Sequence, residues 1–319
     1  MQLYTLDEDD RFGIALATAL GRSPAAHEER RFDDGERKLR PLDDPRGHDV
    51  YVVAGLHGGP LDSPHDRLCR LLMFVATLRD HGAARVTAVL RYLAYARKDR
   101  RTQPFDPLGL RCVAQLFEAV GLSQLIVLEA HDLAALQNAF RCPTVHLSAH
   151  PVFDPVAATL VGEGPVVVAS PDPGGVRRAQ LWRESLQQRL GRPVEFAMVA
   201  KRRSAGRVSG TDRVAGDVAG ATVLLLDDLI ASGETLRLAA AALRHAGARA
   251  VYAFAAHGLF TPAAAALLAD PALTRVVVTD SVPPWRLPAA DPTTDRLQVV
   301  SAVPLFAAAI SDCARAVAR

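Results

Sequence analysis

Short runs of aliphatic residues, each followed by a stretch with helical apolar spacing, recur along this chain. Residues 2–6 read as a first strand and 9–20 as a helix that stops near Gly21; 48–56 is a strand, 67–81 a helix closed by Gly82, and 85–93 a strand. Helix 110–120 and strand 122–128 repeat the pattern, which pauses around residues 147–154. It resumes with strands at 164–170, 194–200, 221–229, 251–258 and 275–282, helices at 176–190 and 235–246, and a final helix from Pro304. Continuous aliphatic strands separated by helices predict a mostly parallel sheet covered on both faces, joined by right-handed crossovers. At 319 residues the chain is long for one core, and the repeated rhythm on either side of residue 150 predicts two α/β domains.

Val, Leu and Ala dominate while aromatics are only 6%, which suits Ala-rich helices on aliphatic sheets. The 37 basic and 35 acidic residues nearly cancel, which argues against a nucleic-acid partner or a polybasic membrane anchor. Cys69, Cys112, Cys142 and Cys313 are scattered without metal-ligand spacing and fit a reducing compartment. Neither a secretion-signal pattern at the start nor an apolar run of spanning length is present, so a cytoplasmic location is expected.

Chemistry concentrates where strands give way to loops. In the stretch from Val223 to Arg237 an aliphatic strand runs into Asp227 and Asp228, then a short loop with Ser232, Gly233 and Thr235, then a helix. Carboxylates can accept from sugar hydroxyls or face a hydrated cation, and the loop and helix start offer amides to a phosphate. The competing reading is an ordinary capped turn. Asp172, with Gly174 and Gly175, repeats the arrangement after another strand, ahead of Arg177 and Arg178. The polar stretch 201–214 carries five basic residues and no helical periodicity, which predicts an exposed cationic loop over a polyphosphate, or else a solubilising charge run. Phe32, Asp34 and Glu36 suit stacking on a purine and accepting from its amine, or a polar turn after an aromatic. Arg97, Lys98 and Asp99 suit ATP phosphates, or a surface salt-bridge network. His131 follows a strand, where a histidine can ligate a cation, touch phosphate or serve structure.

Taken together and in order, the segments at 31–36, 91–101, 129–140, 168–179, 200–203, 216–235 and 256–258 resemble the ribose-phosphate pyrophosphokinases, over almost the whole chain. The resemblance implies two phosphoribosyltransferase-like domains, each a mostly parallel central sheet flanked by helices. Residues 1–150 would form an ATP-binding and assembly domain and 151–303 a ribose-phosphate-binding domain, with helix 304–319 packing back on the first. It implies homo-oligomers, dimers or hexamers. The implied reaction transfers the diphosphoryl group of ATP to the anomeric hydroxyl of ribose 5-phosphate, with Mg²⁺.

By the same resemblance Phe32, Asp34 and Glu36 contact adenine across a subunit boundary, and Arg97, Lys98 and Asp99 lie near the ATP phosphates. His131 and Asp172 match metal-associated positions. Asp227 and Asp228 hold the ribose, Ser232, Gly233 and Thr235 its 5-phosphate, and Lys201 and Arg203 stabilise the transferring phosphates. The chain departs from the family pattern at Ala231 and Glu234, where Asp and Gly are usual, and at Lys98, where Gln is usual. Glu234 either repels the phosphate or points away from it. The alternatives are a phosphoribosyltransferase, which leaves Phe32 to Glu36 without a purpose, and a noncatalytic regulatory paralogue, which the retained Lys201 and Arg203 disfavour.

Overall fold

The computed structural model describes residues 1–6, 11–200, 213–287 and 292–317, together with the backbone of 203–204 and 207–208. Two compact units result, one of Met1–Ser148 with Ala302–Arg319, the other of Ala149–Ser301. In chain order the first contains β1 (Gln2–Thr5), α1 (Arg11–Ala19), β2 (His27–Arg31), β3 (Arg37–Pro41), β4 (Asp49–Gly55), α2 (Pro64–Asp80), β5 (Arg85–Tyr92), α3 (Gly109–Ala119), β6 (Gln124–Leu128), α4 (Leu133–Ala139) and β7 (Thr144–Leu147). The second runs through α5 (His150–Leu160), β8 (Val166–Ser170), α6 (Val176–Leu190), β9 (Glu195–Ala200), β10 (Arg203–Ser204), β11 (Arg207–Val208), β12 (Arg213–Ala215), β13 (Thr222–Ile230), α7 (Glu234–His245), β14 (Ala250–Gly258), α8 (Ala265–Ala269), β15 (Arg275–Thr279) and β16 (Leu297–Val300). The closing helix α9 (Val303–Val317) belongs to the first unit.

The first unit's sheet is wholly parallel, in the order β1-β4-β5-β6-β7. Val50, Val52, Phe74, Leu90, Phe117 and Leu125 are fully buried in one cluster, so the aliphatic strands are covered as their composition requires. On α9, Phe306 meets Phe12 of α1 edge to face at 5.6 Å, and the buried guanidinium of Arg91 lies 4.8 Å from the Phe12 ring centre. The seven-stranded sheet of the second unit has the order β12-β9-β8-β13-β14-β15-β16, parallel except for β12 at one edge. Its two faces are packed differently: Val223, Leu225, Val251 and Ala253 pack with Leu236, Ala239 and Leu243 of α7, while Trp182 of α6 packs on Phe254 at 4.8 Å.

Three parts of the fold differ from the sequence-based expectation. The pause at 147–154 is the end of β7 and the start of α5, whose inward positions are His150, Phe153, Asp154 and Ala157. Two of those four are polar, which hides the apolar period; Asp154 accepts from Trp182 Nε1 at 2.8 Å and Ser185 Oγ at 2.6 Å, and His150 stacks on Trp182. The polar stretch 201–214 is not all loop, because β10 and β11 pair antiparallel and β12 pairs with β9, with Val214 packed on the core. Residues 32–36 are the tip of the β2–β3 hairpin, whose strands read His-Glu-Glu-Arg-Arg and Arg-Lys-Leu-Arg-Pro and bury only Leu39. Among the described residues no helix is long and apolar enough to cross a membrane.

Truncating Phe306 to Ala removes a fully buried ring against Phe12 and is expected to cost about 3–5 kcal/mol. The loss should appear in urea as earlier unfolding of the first unit, reported by amide exchange in α1 and β1.

Candidate functional site

In the second unit the chain builds β8 and β9 to one side and then returns to add β13 on the other side of β8. A crevice opens at the carboxyl ends of strands where the order reverses in this way. Pairing of β13 with β8 ends at Leu225 opposite Ala169, while its pairing with β14 continues to Ile230 opposite Gly258. Asp227 and Asp228 therefore stand inside a strand, not at its end as the sequence suggested, in a part that has outrun one neighbour.

Their environments differ because successive residues face opposite sides of the sheet. Asp228 is 5% exposed, and Arg178 Nη1 of α6 lies 3.9 Å from its Oδ1. Half-buried Asp227 accepts the Asp228 backbone N–H at 2.9 Å. Desolvation first, then the neighbouring Asp228 charge, push the Asp227 carboxyl well above the ordinary carboxylate range, and Arg178 offsets this only in part.

Three features frame these acids. After β8, Asp172 Oδ1 accepts from the backbone N–H groups of Gly174 and Gly175 at 2.8 and 3.2 Å, closing a 3-10 turn that touches β13. After β13, residues 231–233 turn the chain into α7. Gly233 has φ +77°, and a Cβ there would lie 2.7 Å from Leu267 Cδ2, so both the backbone conformation and the space require glycine. The turn is held from behind, since Leu259 and Phe260 donate to the Ile230 carbonyl and Thr261 to that of Ala231. Ser232 is exposed, its hydroxyl accepting from Glu234 N at 3.4 Å, and half-buried Thr235 lies in the first turn of α7, where helix amides lack carbonyl partners within the helix. The structure thus brings together Asp172, Asp227, Asp228, Ser232, Gly233 and Thr235 at the carboxyl ends of the central strands β8 and β13.

Glu234 faces its own helix. Arg237 donates Nε to its Oε2 at 2.9 Å and Nη2 to its Oε1 at 2.8 Å, and holds its carboxyl below the ordinary range. Arg178 and Arg237 carried no assigned role in the sequence, because basic residues on a helix face look alike there. His257 of β14, in register with Leu229 of β13, lies in the family-like segment 256–258 but carried no assigned role. Its Nδ1 lies 2.9 Å from Ser281 Oγ, whose hydroxyl donates to the Ala256 carbonyl at 3.0 Å.

In the first unit Phe32, Asp34 and Glu36 occupy the exposed hairpin tip. Phe32 donates its N–H to the Glu36 carbonyl at 2.8 Å, Asp34 Oδ1 accepts from Glu36 N at 3.0 Å, and the Arg30 guanidinium lies 4.9 Å from the Phe32 ring centre. Charges hold this hairpin where apolar packing is thin. Arg37 bonds Glu29 and Asp62, each at 2.5 Å, and Arg70 approaches the same two carboxylates at 3.3 and 3.4 Å, with Asp62 and Arg70 both buried.

Arg97, Lys98 and Asp99 follow β5. Arg97 is exposed, but Lys98 Nζ is 2.5 Å from Asp106, which also accepts from Thr102 N and Oγ1 and from Gln103 N. These bonds draw the Asp106 carboxyl well below its ordinary range. Lys98 thus closes its own loop. The Asp99 side chain is 7% exposed, with Arg100 Nε 3.9 Å away. His131 is half-buried just before α4, which is capped by Asp132 accepting from Ala135 N at 2.8 Å.

Lys201 lies outside the described residues, and Arg203 is described only as backbone of β10. His131 belongs to the first unit and Asp172 to the second. Among the described residues no three His, Cys, Asp or Glu side chains gather into a metal cage.

Residues 1–121 match the family model described as the N-terminal domain of ribose phosphate pyrophosphokinase, and 198–311 match that of the phosphoribosyl synthetase-associated domain. The chain is 33% identical over 310 residues to a ribose-phosphate pyrophosphokinase of Caldanaerobacter subterraneus subsp. tengcongensis, covering 97% of this chain and 93% of that one. To the corresponding protein of Brucella melitensis biotype 1 it is 37% identical over 255 residues, 80% of this chain and 79% of the relative. The solved structure of phosphoribosylpyrophosphate synthetase from Mycobacterium smegmatis is similar, with a TM-score of 0.86, 30% identity and 98% of each chain covered. On these grounds, with acids, turn and helix start assembled at the carboxyl ends of central strands, the chain belongs to the ribose-phosphate pyrophosphokinase family.

Proposed function

We propose that this chain is a ribose-phosphate diphosphokinase, which moves the β,γ-diphosphoryl group of ATP to the anomeric hydroxyl of D-ribose 5-phosphate. The carrying observation is the crevice in which a carboxylate pair and a glycine-dependent turn into a helix stand side by side, in a chain of this family. Asp227 and Asp228 accept from the ribose hydroxyls, while the amides and hydroxyls at Ser232, Gly233 and Thr235 hold the 5-phosphate. Phe32, Asp34 and Glu36 read adenine. Arg97 and Asp99 flank the ATP phosphates, and Lys98 joins them by exchanging Asp106 for phosphate.

The anomeric oxygen attacks the β-phosphorus as its hydroxyl proton passes to solvent, the bond from that phosphorus to the bridging oxygen breaks, and AMP leaves carrying the bridging oxygen. No covalent enzyme intermediate is needed, and the protein positions the groups and neutralises charge. Lys201 and Arg203 meet the charge that shifts toward the bridging oxygen.

Mg²⁺ fits the oxygen donors here: Asp227 carries an under-compensated carboxylate, and Asp172 presents another at the carboxyl end of the neighbouring strand. Such a hard cation takes one or two protein carboxylates with phosphate oxygens and water. In the second unit Asp172 would hold it, supplying the preferred oxygen, and His131 is proposed as a metal-associated position of the first unit. When bound, it neutralises polyphosphate charge.

Incubated with ATP, Mg²⁺ and ribose 5-phosphate, the protein should release AMP in equal amount to a diphosphorylated pentose, resolved by anion exchange. ADP in place of AMP would indicate ordinary kinase chemistry and reject the assignment. Replacing Lys201 with Ala should lower kcat by about 10²–10³-fold, in line with losing one transition-state donor, while the KM for ribose 5-phosphate moves far less.

Asp227→Asn should trade function for stability. The folded pKa of Asp227 is raised, so its charged form opposes folding increasingly as pH climbs from the unfolded value near 4 through the folded value. Without ligands the Asn variant should melt above wild type at pH 8, with the gap shrinking on acidification and closing near pH 4, while kcat/KM for ribose 5-phosphate falls. A gap that widens toward acid pH contradicts the raised pKa.

A further inference from the structure

Glu234 places a carboxylate at the first position of α7, next to the three residues proposed to hold the sugar phosphate. An uncompensated negative charge within one helical turn of a bound dianion opposes it directly. The structure holds that charge in a fork. Arg237, one turn along, makes two bonds to Glu234 at 2.9 and 2.8 Å, and its Nη1 lies 3.7 Å from Asp270 Oδ2 at the end of α8. Asp270 is itself fixed, accepting from Ala272 N at 2.8 Å. The side chains of Glu234 and Arg237 are 56% and 34% exposed, so the pair contributes little to folding. Its geometry nonetheless does two things at the phosphate turn: it cancels the carboxylate's charge, and it points the carboxylate along α7 toward Arg237.

We infer that Arg237 is a positioning residue for the phosphorylated sugar, acting through Glu234: by forking that carboxylate it keeps the turn at Ser232, Gly233 and Thr235 receptive to a phosphate dianion. The inference rests on the assignment of that turn to the 5-phosphate. It explains how a glutamate can occupy this turn in a chain that keeps the acid pair behind it.

The test is a double-mutant cycle on the full chain, following AMP formation against ribose 5-phosphate and against ATP. Arg237→Ala should raise the KM for ribose 5-phosphate about three- to tenfold and leave kcat and the KM for ATP near wild type. Glu234→Gln should bind ribose 5-phosphate at least as tightly as wild type. The double variant should match Glu234→Gln, because without the carboxylate there is nothing for Arg237 to neutralise. Raising KCl from about 0.05 to about 0.5 M should shrink the ratio between Arg237→Ala and wild type, since exposed charges are screened over a shorter length.

A double variant as impaired as Arg237→Ala would overturn the inference, because the defect would then come from lost contact with Asp270. An Arg237→Ala enzyme indistinguishable from wild type would overturn it as well. If wild type forms neither AMP nor a diphosphorylated pentose, the assigned activity fails first, before the variants are compared.

Discussion

Two adjacent carboxylates inside a strand whose other residues are packed in aliphatic surroundings set the terms for the second unit. Ionised Asp227 and Asp228 are costly there, since burial and mutual repulsion both oppose charge and Arg178 compensates only one side. Such an arrangement stabilises nothing by itself. It persists because β13 extends beyond β8 into a crevice, where the acids are available to hydroxyl donors and cations. The rest of the crevice holds this place open: Asp172 closes the neighbouring turn, Leu267 leaves room only for glycine at 233, and residues 259–261 pin the turn from behind.

The first unit solves a different problem. Its sheet adds strands in sequence order and is packed with aliphatic residues, yet the hairpin carrying Phe32, Asp34 and Glu36 has almost no apolar surface to bury. Charges replace it, with Arg37 and the buried Arg70 sharing Glu29 and the buried Asp62. A network of this kind contributes little net stability, because desolvation offsets attraction, but it fixes the direction of what it holds. A hairpin tip proposed to present one ring and two carboxylates to a nucleotide gains from that fixed direction.

Charge compensation is the common thread of the two units. Glu234 is held by Arg237, Lys98 by Asp106 and Asp228 by Arg178. Asp227, by contrast, lacks an adequate cation, and it stands where the sugar and its cation are proposed to bind. Lys98, which the sequence left open between a phosphate ligand and a surface salt-bridge network, pairs in the structure with a carboxylate eight positions on.

The aliphatic strands, the loops that follow them and the acidic and glycine positions in those loops were legible in the sequence, because periodicity and residue type act locally. The hairpin, α5 and β12 were not. Their stability comes from partners distant in the chain: Asp62 and Arg70 for the hairpin, Trp182 and Ser185 for Asp154, and the edge of β9 for residues 213–215. Sequence by itself determined which side chains are available for chemistry and that two covered parallel sheets would carry them. Only tertiary structure decided which of those charges are spent on the fold and which remain for a ligand, since a charge is cancelled by whatever lies near it in space, and sequence order does not set that distance.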